Sequence, residues 1–562
     1  MIATSIERVT ETNPQLAREW QGRLTPKNLM IATTISIVGQ ALVYLYFRDL
    51  LPTAQGFNRY CTASPPPTFP NYSPYPNQFC IQDLNGQWMI LSELWWLDIF
   101  TFLSVVGIFA LLVVGTYQLI ADISTEERQG TLNFIRLSPR SARDIFIGKI
   151  LGVPVLLYWV AILALPFHLV AGLSAGIPFG MILAFYAVLL AGCAFFYCAS
   201  IAFALASQWL GGFQAWLGSG TVAIFLFFTT LLALSGYASY RTPFDWLNLF
   251  YPGFLLPYLV KATFLPPYTV RYLGIQPMSP SLWYGQSLWE SFPAGMGLLL
   301  LNFGVWTYWL TRALRRRFHN PLATLVSKTQ SYGMTACFCI LTLGFLFQTL
   351  EPSYLADNFA ILTAFLAIYS LFLVIVLTPS RQAVQDWARY RHQNGEKGMA
   401  SWKALLFSEK SPAIVAIATN LAIAAVSFVP ALLIAPLDEY KLPMFGGFLL
   451  TVNMMLVYAA LAAWVMLWKT NQRSLLATGT IATAVMFPVV CFGALGILPF
   501  NSPLLWGFSF LPVLAARYAT IFSFGLAFLG QSLVLTLLAL QINRQVRQIG
   551  ASATKALLSE AK

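Results

Sequence analysis

The residues with the most chemical content form one polar stretch. It begins at Glu126-Glu127-Arg128, passes Gly130-Thr131-Leu132, Arg136, Ser138-Pro139, Arg140 and Arg143, and ends at Gly148-Lys149. It holds charges of both signs and a Ser-Pro pair suited to starting a helix. The stretch reads as a short helix, a turn and a second helix, with Ser138 as N-cap and Pro139 in the first turn of the second. Leu132, Phe134, Ile135 and Leu137 supply an apolar face, while Arg128, Arg136, Arg140 and Arg143 are expected in solvent. A solvated loop rich in arginine would explain the basic residues, but not the combined Gly-Thr-Leu, Ser-Pro and Gly-Lys spacing.

Other chemistries lack their residues. There is no G-x-x-x-x-G-K-[ST] phosphate loop, because Gly148-Lys149 is followed by Ile150. The three histidines, His168, His319 and His392, are far apart in sequence, and no paired acidic motif stands beside them. No catalytic residue and no metal-ligand set is assigned. Ionisable side chains are scarce deep within the apolar runs, where ion-coupled carriers usually keep them. Glu93, Asp98 and Glu290 fall toward run ends, and His168 reads as a packed or interfacial imidazole. Gln40, Asn302, Asn420, Asn453 and Gln531 read as interhelical hydrogen-bond partners.

With these motifs the chain resembles the membrane subunits of ABC-2 type transporters. In that family the second and third spans are joined by a Glu-rich, Gly-Thr-Leu, Ser/Thr-Pro, Gly-Lys segment. The resemblance implies a coupling-helix region that docks on a separate ATPase, with Glu126, Glu127, Arg128, Gly130, Thr131, Ser138, Pro139 and Lys149 at the matching positions. Asn133 departs from the acidic residue often found after Gly-Thr-Leu. Asn13-Pro14-Gln15-Leu16-Ala17-Arg18-Glu19-Trp20, continuing to Arg23-Leu24, is similar to the family's interfacial connecting helix. Leu16, Trp20 and Leu24 recur every four residues on one face, with Arg18, Glu19 and Arg23 elsewhere. An ordinary solvated helix has the same periodicity. The aromatic loop 237–290, with Trp246, Phe250, Tyr251 and Phe254 near Pro252 and Pro257, is similar in position to the family's short re-entrant helices; an interfacial aromatic belt is the other reading.

Those segments have to be positioned by helices in lipid. The 562 residues are 58% hydrophobic and 10% charged, with mean hydropathy +0.67, far from the roughly 25% charged residues of soluble domains. A bilayer core takes about 20 apolar residues per helix. Twelve runs qualify: 28–47, 99–120, 150–173, 179–205, 216–234, 294–310, 333–350, 359–377, 413–434, 445–468, 476–498 and 519–540. The short sixth and seventh fit least well. The first run lacks a following small-residue cleavage site and is expected to remain in the mature chain.

Basic residues in short loops resist translocation. With the N-terminus cytoplasmic, only Arg48, Arg59, Arg241, Lys261, Arg271, Lys441 and Arg517 of the 33 Lys and Arg residues fall outside, and both termini are inside. The net charge of +12 is then a topology signal, and nucleic acid is not an expected partner. Cys61 and Cys80 flank the Pro-rich stretch of the first outer loop, which also holds the sequon Asn71-Tyr72-Ser73. A disulfide there would close a loop worth roughly 3 kcal/mol in the chain-entropy model; two free thiols are the alternative.

The second half echoes the first. Leu132-x-Phe134-x-x-x-Ser138-Pro139 matches Leu405-x-Phe407-x-x-x-Ser411-Pro412, and Trp246-x-x-x-Phe250-x-Pro252 matches Trp506-x-x-x-Phe510-x-Pro512. A parallel duplication accounts for these marks, as does coincidence among residues common in membrane loops. The second copy carries Lys403-Ala404 in place of Gly-Thr, and Leu421-Ala422 in place of Gly-Lys.

The expectation is an all-α, polytopic bundle of about twelve spans in a six-plus-six parallel repeat. Residues 1–325 would form the first unit and 326–562 a second, degenerate one. The resemblance implies a multi-pass permease of an ABC exporter in the cell membrane, a bacterial inner or plasma membrane above all, and not an enzyme. It needs no cofactor of its own; ATP and magnesium belong to a partner ATPase, and a second copy or another permease could join it. An ion-coupled secondary transporter is the first alternative, and a membrane-embedded lipid or glycan transferase the second.

Overall fold

The computed structural model describes residues 13–63, 78–234, 242–265, 281–320, 323–394 and 399–550. The Pro-rich stretch with its sequon, Arg241, Arg271 and the C-terminal residues from 551 onward lie outside them. The described chain is all-helical, apart from a hairpin of β1 (Leu282–Trp283) and β2 (Gln286–Ser287) and isolated bridges in the loop after the first span. Two compact units divide it. One comprises Met1–Tyr240, Leu247–Pro280 and Trp289–Leu310, the other Arg241–Trp246, Ser281–Leu288 and Thr311–Lys562. The main division thus falls fifteen residues before the one expected at 325, inside a helix.

In the first unit, α1 (Pro14–Arg23) is followed directly by α2 (Pro26–Asp49). Asn13 and Thr25 cap them, and Pro14 and Pro26 open them, since proline lacks only an N–H that would have no helical partner there. A single helix runs from Ser92 to Arg128 as α3 (Ser92–Phe109), a π-helical segment (Ala110–Val114) and α4 (Gly115–Arg128). Next come α5 (Thr131–Leu137), α6 (Ala142–Gly152), α7 (Val155–Ser174), α8 (Phe179–Ala206) and α9 (Gln214–Leu234). The third predicted span is therefore broken at Val153-Pro154 into α6 and α7. Helix α7 packs on α2 and α3, whereas α4 packs on α8 and α9 and α1 lies on α6.

The loop after α2 is a small folded body closed by a Cys61–Cys80 disulfide with S–S 2.03 Å. Asp98 of α3 anchors it: the buried carboxylate accepts from Arg59 Nη2 and Tyr60 Oη, each at 2.9 Å. The aromatic loop is built of α10 (Asp245–Asn248), a 3-10 turn (Pro252–Leu255) and α11 (Leu256–Lys261). A Cβ at Gly192 of α8 would come within 2.8 Å of the Pro252 ring, so that glycine admits the turn.

Helix α12 (Phe292–His319) carries Arg312, Arg315, Arg316 and Arg317 in its last turns, and α13 (Lys328–Leu343) has only 16 residues. The β-hairpin ends α13. Its late carbonyls accept from Trp283 Nε1 (Leu341 O, 3.3 Å), Tyr284 Oη (Ile340 O, 2.9 Å) and Tyr284 N (Gly344 O, 2.7 Å). The second unit continues with α14 (Pro352–Leu377), α15 (Arg381–Asn394), α16 (Met399–Phe407), α17 (Ile414–Ile434), α18 (Lys441–Met466), α19 (Arg473–Ala494), α20 (Pro503–Trp506) and α21 (Ile521–Gly550). Helix α18 is central, packing on α14, α17, α19 and α21.

Among the described residues, ten helices are long and apolar enough to cross a bilayer, the pattern of a multi-pass membrane protein. They are α2, the helix from Ser92 to Arg128, α7, α8, α9, α14, α17, α18, α19 and α21. The sixth and seventh predicted runs, α12 and α13, are not among them. The helix of the seventh is shorter than the roughly 20 residues a span takes.

Candidate functional site

Lys149 lies in α6, and the sequence gives it a place beside Gly148 but no partner. The structure buries its ammonium, 1% exposed, among three carboxylates: Asp122 at 2.6 Å, Glu126 at 2.9 Å and Glu19 at 3.2 Å. Asp122 and Glu126 are four residues apart, and so share one face of α4. Glu19 arrives from α1. Two arginines of α1 complete the cluster, Arg23 reaching Asp122 at 2.7 Å and Glu19 at 3.3 Å, and Arg18 reaching Glu126 at 2.5 Å. Three acids and three bases balance, which is the condition for holding charge away from water.

The backbones make this contact possible. A Cβ at Gly148 would lie 2.9 Å from the Leu16 amide nitrogen, and one at Gly152 would lie 2.5 Å from Glu19 Cβ. Two glycines one turn apart therefore let α1 lie directly on α6. Asn13 adds a bond from its Nδ2 to Asp144 O at 2.8 Å. The Gly-Lys pair thus has a physical meaning: glycine admits the helix and lysine binds its carboxylate.

Burial alone would raise the Glu19 carboxyl, but Lys149, with Arg23 and Arg18 beside it, more than offsets that and holds it below the ordinary carboxylate range. Burial would lower the Lys149 ammonium; Asp122, Glu19 and Glu126 together keep it above the usual lysine value. Both groups stay charged at neutral pH. The oxygens of Glu19, Asp122 and Glu126 lie within 4.8 Å of one another, a donor set that suits a hard divalent cation. Here the ammonium of Lys149 already stands between them.

The link beyond α4 turns on Gly130, whose φ of +72° is a left-handed conformation that glycine adopts without steric cost. Its N–H bonds Glu127 O at 3.1 Å, and Thr131 Oγ1 bonds Glu126 O at 3.2 Å, which closes the turn. In α5, Leu132 and Ile135 are buried while Phe134 and Leu137 stand 77% and 83% exposed. The expected single apolar face is thus split, one half holding α5 down and the other pointing away.

Three expectations change in detail. Arg136, expected in solvent, has a side chain only 10% exposed, paired with Glu127 at 3.6 Å and Asn133 at 3.0 Å. Ser138 and Pro139 do not start the next helix. Ser141 caps α6 instead, because its hydroxyl both accepts from Asp144 N and donates to the Asp144 carboxylate, a reciprocal cap that Ser138 lacks. Glu19, set apart from the expected apolar face of α1, is one of its three buried residues with Leu16 and Ala17, whereas Trp20 and Leu24 are half-buried.

Arg128 remains exposed and, among the described residues, bonds only its own helix. Sequence reasoning missed Asp122 altogether; the signal was its i, i+4 spacing to Glu126.

The matching link of the second unit is built differently. Phe407 ends α16 exposed, as Phe134 stands in α5. But Ser411 is buried, and Lys328 from α13 donates to its Oγ at 2.5 Å, to Leu405 O at 2.7 Å and to Pro412 O at 3.2 Å. No carboxylate triad forms there among the described residues; Arg316 instead grips Glu409 with both terminal nitrogens. No protein-family model matches the sequence, and neither a curated protein nor a solved structure matches it.

Proposed function

We propose that this chain is the membrane-spanning permease of an ABC-2 type exporter, driven by a separate ATPase that supplies ATP and magnesium. One observation carries the reading: two large apolar side chains, Phe134 and Leu137, stand exposed on a short helix in a polar link, and the base of that link is fixed by a buried ion cluster. An exposed apolar pair on a rigid mount fits a protein partner better than it fits water. Motion of such a partner would pass through Gly130 and α4 on one side, and through α6 and Lys149 on the other. The link then lies on the cytoplasmic face with both termini, the side that the distribution of lysine and arginine favours.

The six-plus-six arrangement draws support from local form. Trp246 lies in a short helix followed by a 3-10 turn opening at Pro252, and Trp506 lies in a short helix followed by one opening at Pro512. On this reading the second unit is a degenerate copy whose link, among the described residues, lacks the ion cluster. A second permease chain is then not needed to complete the pathway.

The test is co-purification. The chain is purified from its native membrane, and the associated proteins are assayed for ATP hydrolysis. An ATPase that co-purifies with the wild type but not with a Phe134→Asp/Leu137→Asp variant supports the reading. Retention of the ATPase by that variant, or a transport activity driven by a proton gradient without any ATPase, would sink it.

A further inference from the structure

The helix from Ser92 to Arg128 is tied at both ends to different bodies and loosened in the middle. Near its start, Asp98 is clamped by Arg59 and Tyr60 to the disulfide-closed loop. Near its end, Asp122 and Glu126 are clamped by Lys149, Arg23 and Arg18 to α6 and α1. Between them the helix widens to a π-helical segment, Ala110–Val114. Such segments are rare and weaken the regular ladder of backbone bonds.

Three side-chain facts fall on this segment. The carbonyl of Leu111 accepts from Tyr197 Oη of α8 at 2.7 Å, in addition to the backbone N–H of Gly115. Gly115 is the first residue beyond the wide turn, and any Cβ there would collide with the Tyr197 ring. Thr116, fully inside the bundle, has a hydroxyl with no hydrogen-bond partner among the described residues. Elsewhere in the same helix Ser104, Ser124 and Thr125 bond the carbonyl four residues back, at Phe100, Ile120 and Ala121, while Thr101, like Thr116, has no partner for its hydroxyl among the described residues. The corresponding carbonyl for Thr116 is that of Leu112, inside the widened turn, which accepts from the Gly115 N–H and not from the Thr116 hydroxyl.

We propose that Ala110–Val114 is a hinge at which the α4 half of this helix bends and turns relative to the α3 half, and that Tyr197 and Thr116 are its two alternative latches. In the state observed, Tyr197 holds the wide turn open by bonding the Leu111 carbonyl, and the Thr116 hydroxyl waits. When the wide turn tightens, Thr116 gains the Leu112 carbonyl and Tyr197 releases. One hydrogen bond is exchanged for another, so the two states differ little in energy and a modest force moves the helix between them. Because α4 ends in the ion cluster, its motion carries α6 and α1 along, while the disulfide-closed loop stays with α3. The hinge stands on this helix alone. Its use in transport rests on the coupling reading.

The experiment is hydrogen–deuterium exchange by mass spectrometry on the full chain in lipid nanodiscs, with no partner present. Amides of residues 111–116 should exchange about tenfold faster than those of 100–108 and 118–126, as expected for a local opening rather than global unfolding. A π-segment accommodates one extra residue, so deleting Ala110 should restore a continuous α-helix with both anchors in register. Exchange at 111–116 should then fall to that of the flanks, with the disulfide intact and α1 still protected. Tyr197→Phe should shift the wild-type rate the same way, by removing only the hydroxyl. Protection of 111–116 equal to the flanks in the wild type would overturn the hinge, as would unchanged exchange in the deletion variant that keeps both anchors. If the hinge is present but the deletion leaves ATP-driven transport intact, the coupling reading fails and the hinge does not.

Discussion

Lys149 Nζ lies 2.6 Å from a carboxylate oxygen of Asp122 and 3.2 Å from one of Glu19, joining two helices that are separated by about a hundred residues of chain. A buried cation with three acidic neighbours is strongly committed to them. Removing it leaves negative charges together, away from water, and such losses cost on the order of 3–5 kcal/mol. Lys149→Met should therefore release α1 from α6, read as rapid proteolysis within residues 14–23 in nanodiscs. A protected α1 in the variant would mean that the glycine contact alone holds it.

The same variant makes a chemical prediction. Without the ammonium, Glu19, Asp122 and Glu126 present oxygens within 4.8 Å of one another to a vacant centre. Millimolar calcium should restore α1 protection in Lys149→Met, while leaving the wild type unaffected. Rescue by sodium chloride at the same ionic strength would point to simple screening instead.

Acid should undock the helix before it unfolds the bundle. The Glu19 carboxyl is held below its ordinary value of 4.5 in the folded chain. Its contribution is thus fully present above that value and is lost as pH falls through the lowered one. Trp20, half-buried on the same helix, reports the change by fluorescence. A transition centred above pH 5 would contradict the direction of the shift.

Adding bulk at Gly148 should act like breaking the ion pairs, without touching a charge. A Cβ there meets the Leu16 nitrogen and Gln15 Cβ at 2.9 Å. Gly148→Val should increase proteolysis of α1, with little effect at Gly220, where a Cβ meets open space. Equal effects at both positions would assign the loss to helix propensity instead.

The disulfide carries a separable prediction. Cys61→Ser/Cys80→Ser should loosen the loop by roughly 3 kcal/mol in the chain-entropy model, exposing it to protease while Lys149 keeps α1 protected. Simultaneous loss of both would show that the two ends of the Ser92–Arg128 helix do not behave independently.

How far the sequence could be read depended on the range of each interaction. Apolar runs are local, so α2, α8, α14 and α18 were legible, because a 20-residue stretch carries its own signal. Helix α13 was not, since what ends it is a hairpin whose Trp283 and Tyr284 take carbonyls 58 and 56 residues further along the chain. At the site, Gly130 and Gly148-Lys149 stood out by type and spacing. Their partners did not, because Glu19 and Asp122 look like ordinary helix-surface acids until α1 is folded back onto α6. Ser138 misled for a related reason: Ser-Pro is a good cap in isolation, but Ser141 with Asp144 makes a better one three residues later.

The order in which the chain is made gives the ion cluster a further role. Glu19 leaves the ribosome 130 residues before Lys149, a gap of roughly six to twenty-six seconds at about 5–20 residues per second. During that interval α1 has neither its ammonium nor its glycine floor, and Leu16 and Ala17, buried in the finished fold, lack the α6 surface they pack on. The helix therefore reaches its final place only after α6 has been made. Burial of Lys149 then marks the moment at which the first unit has its early helices in place.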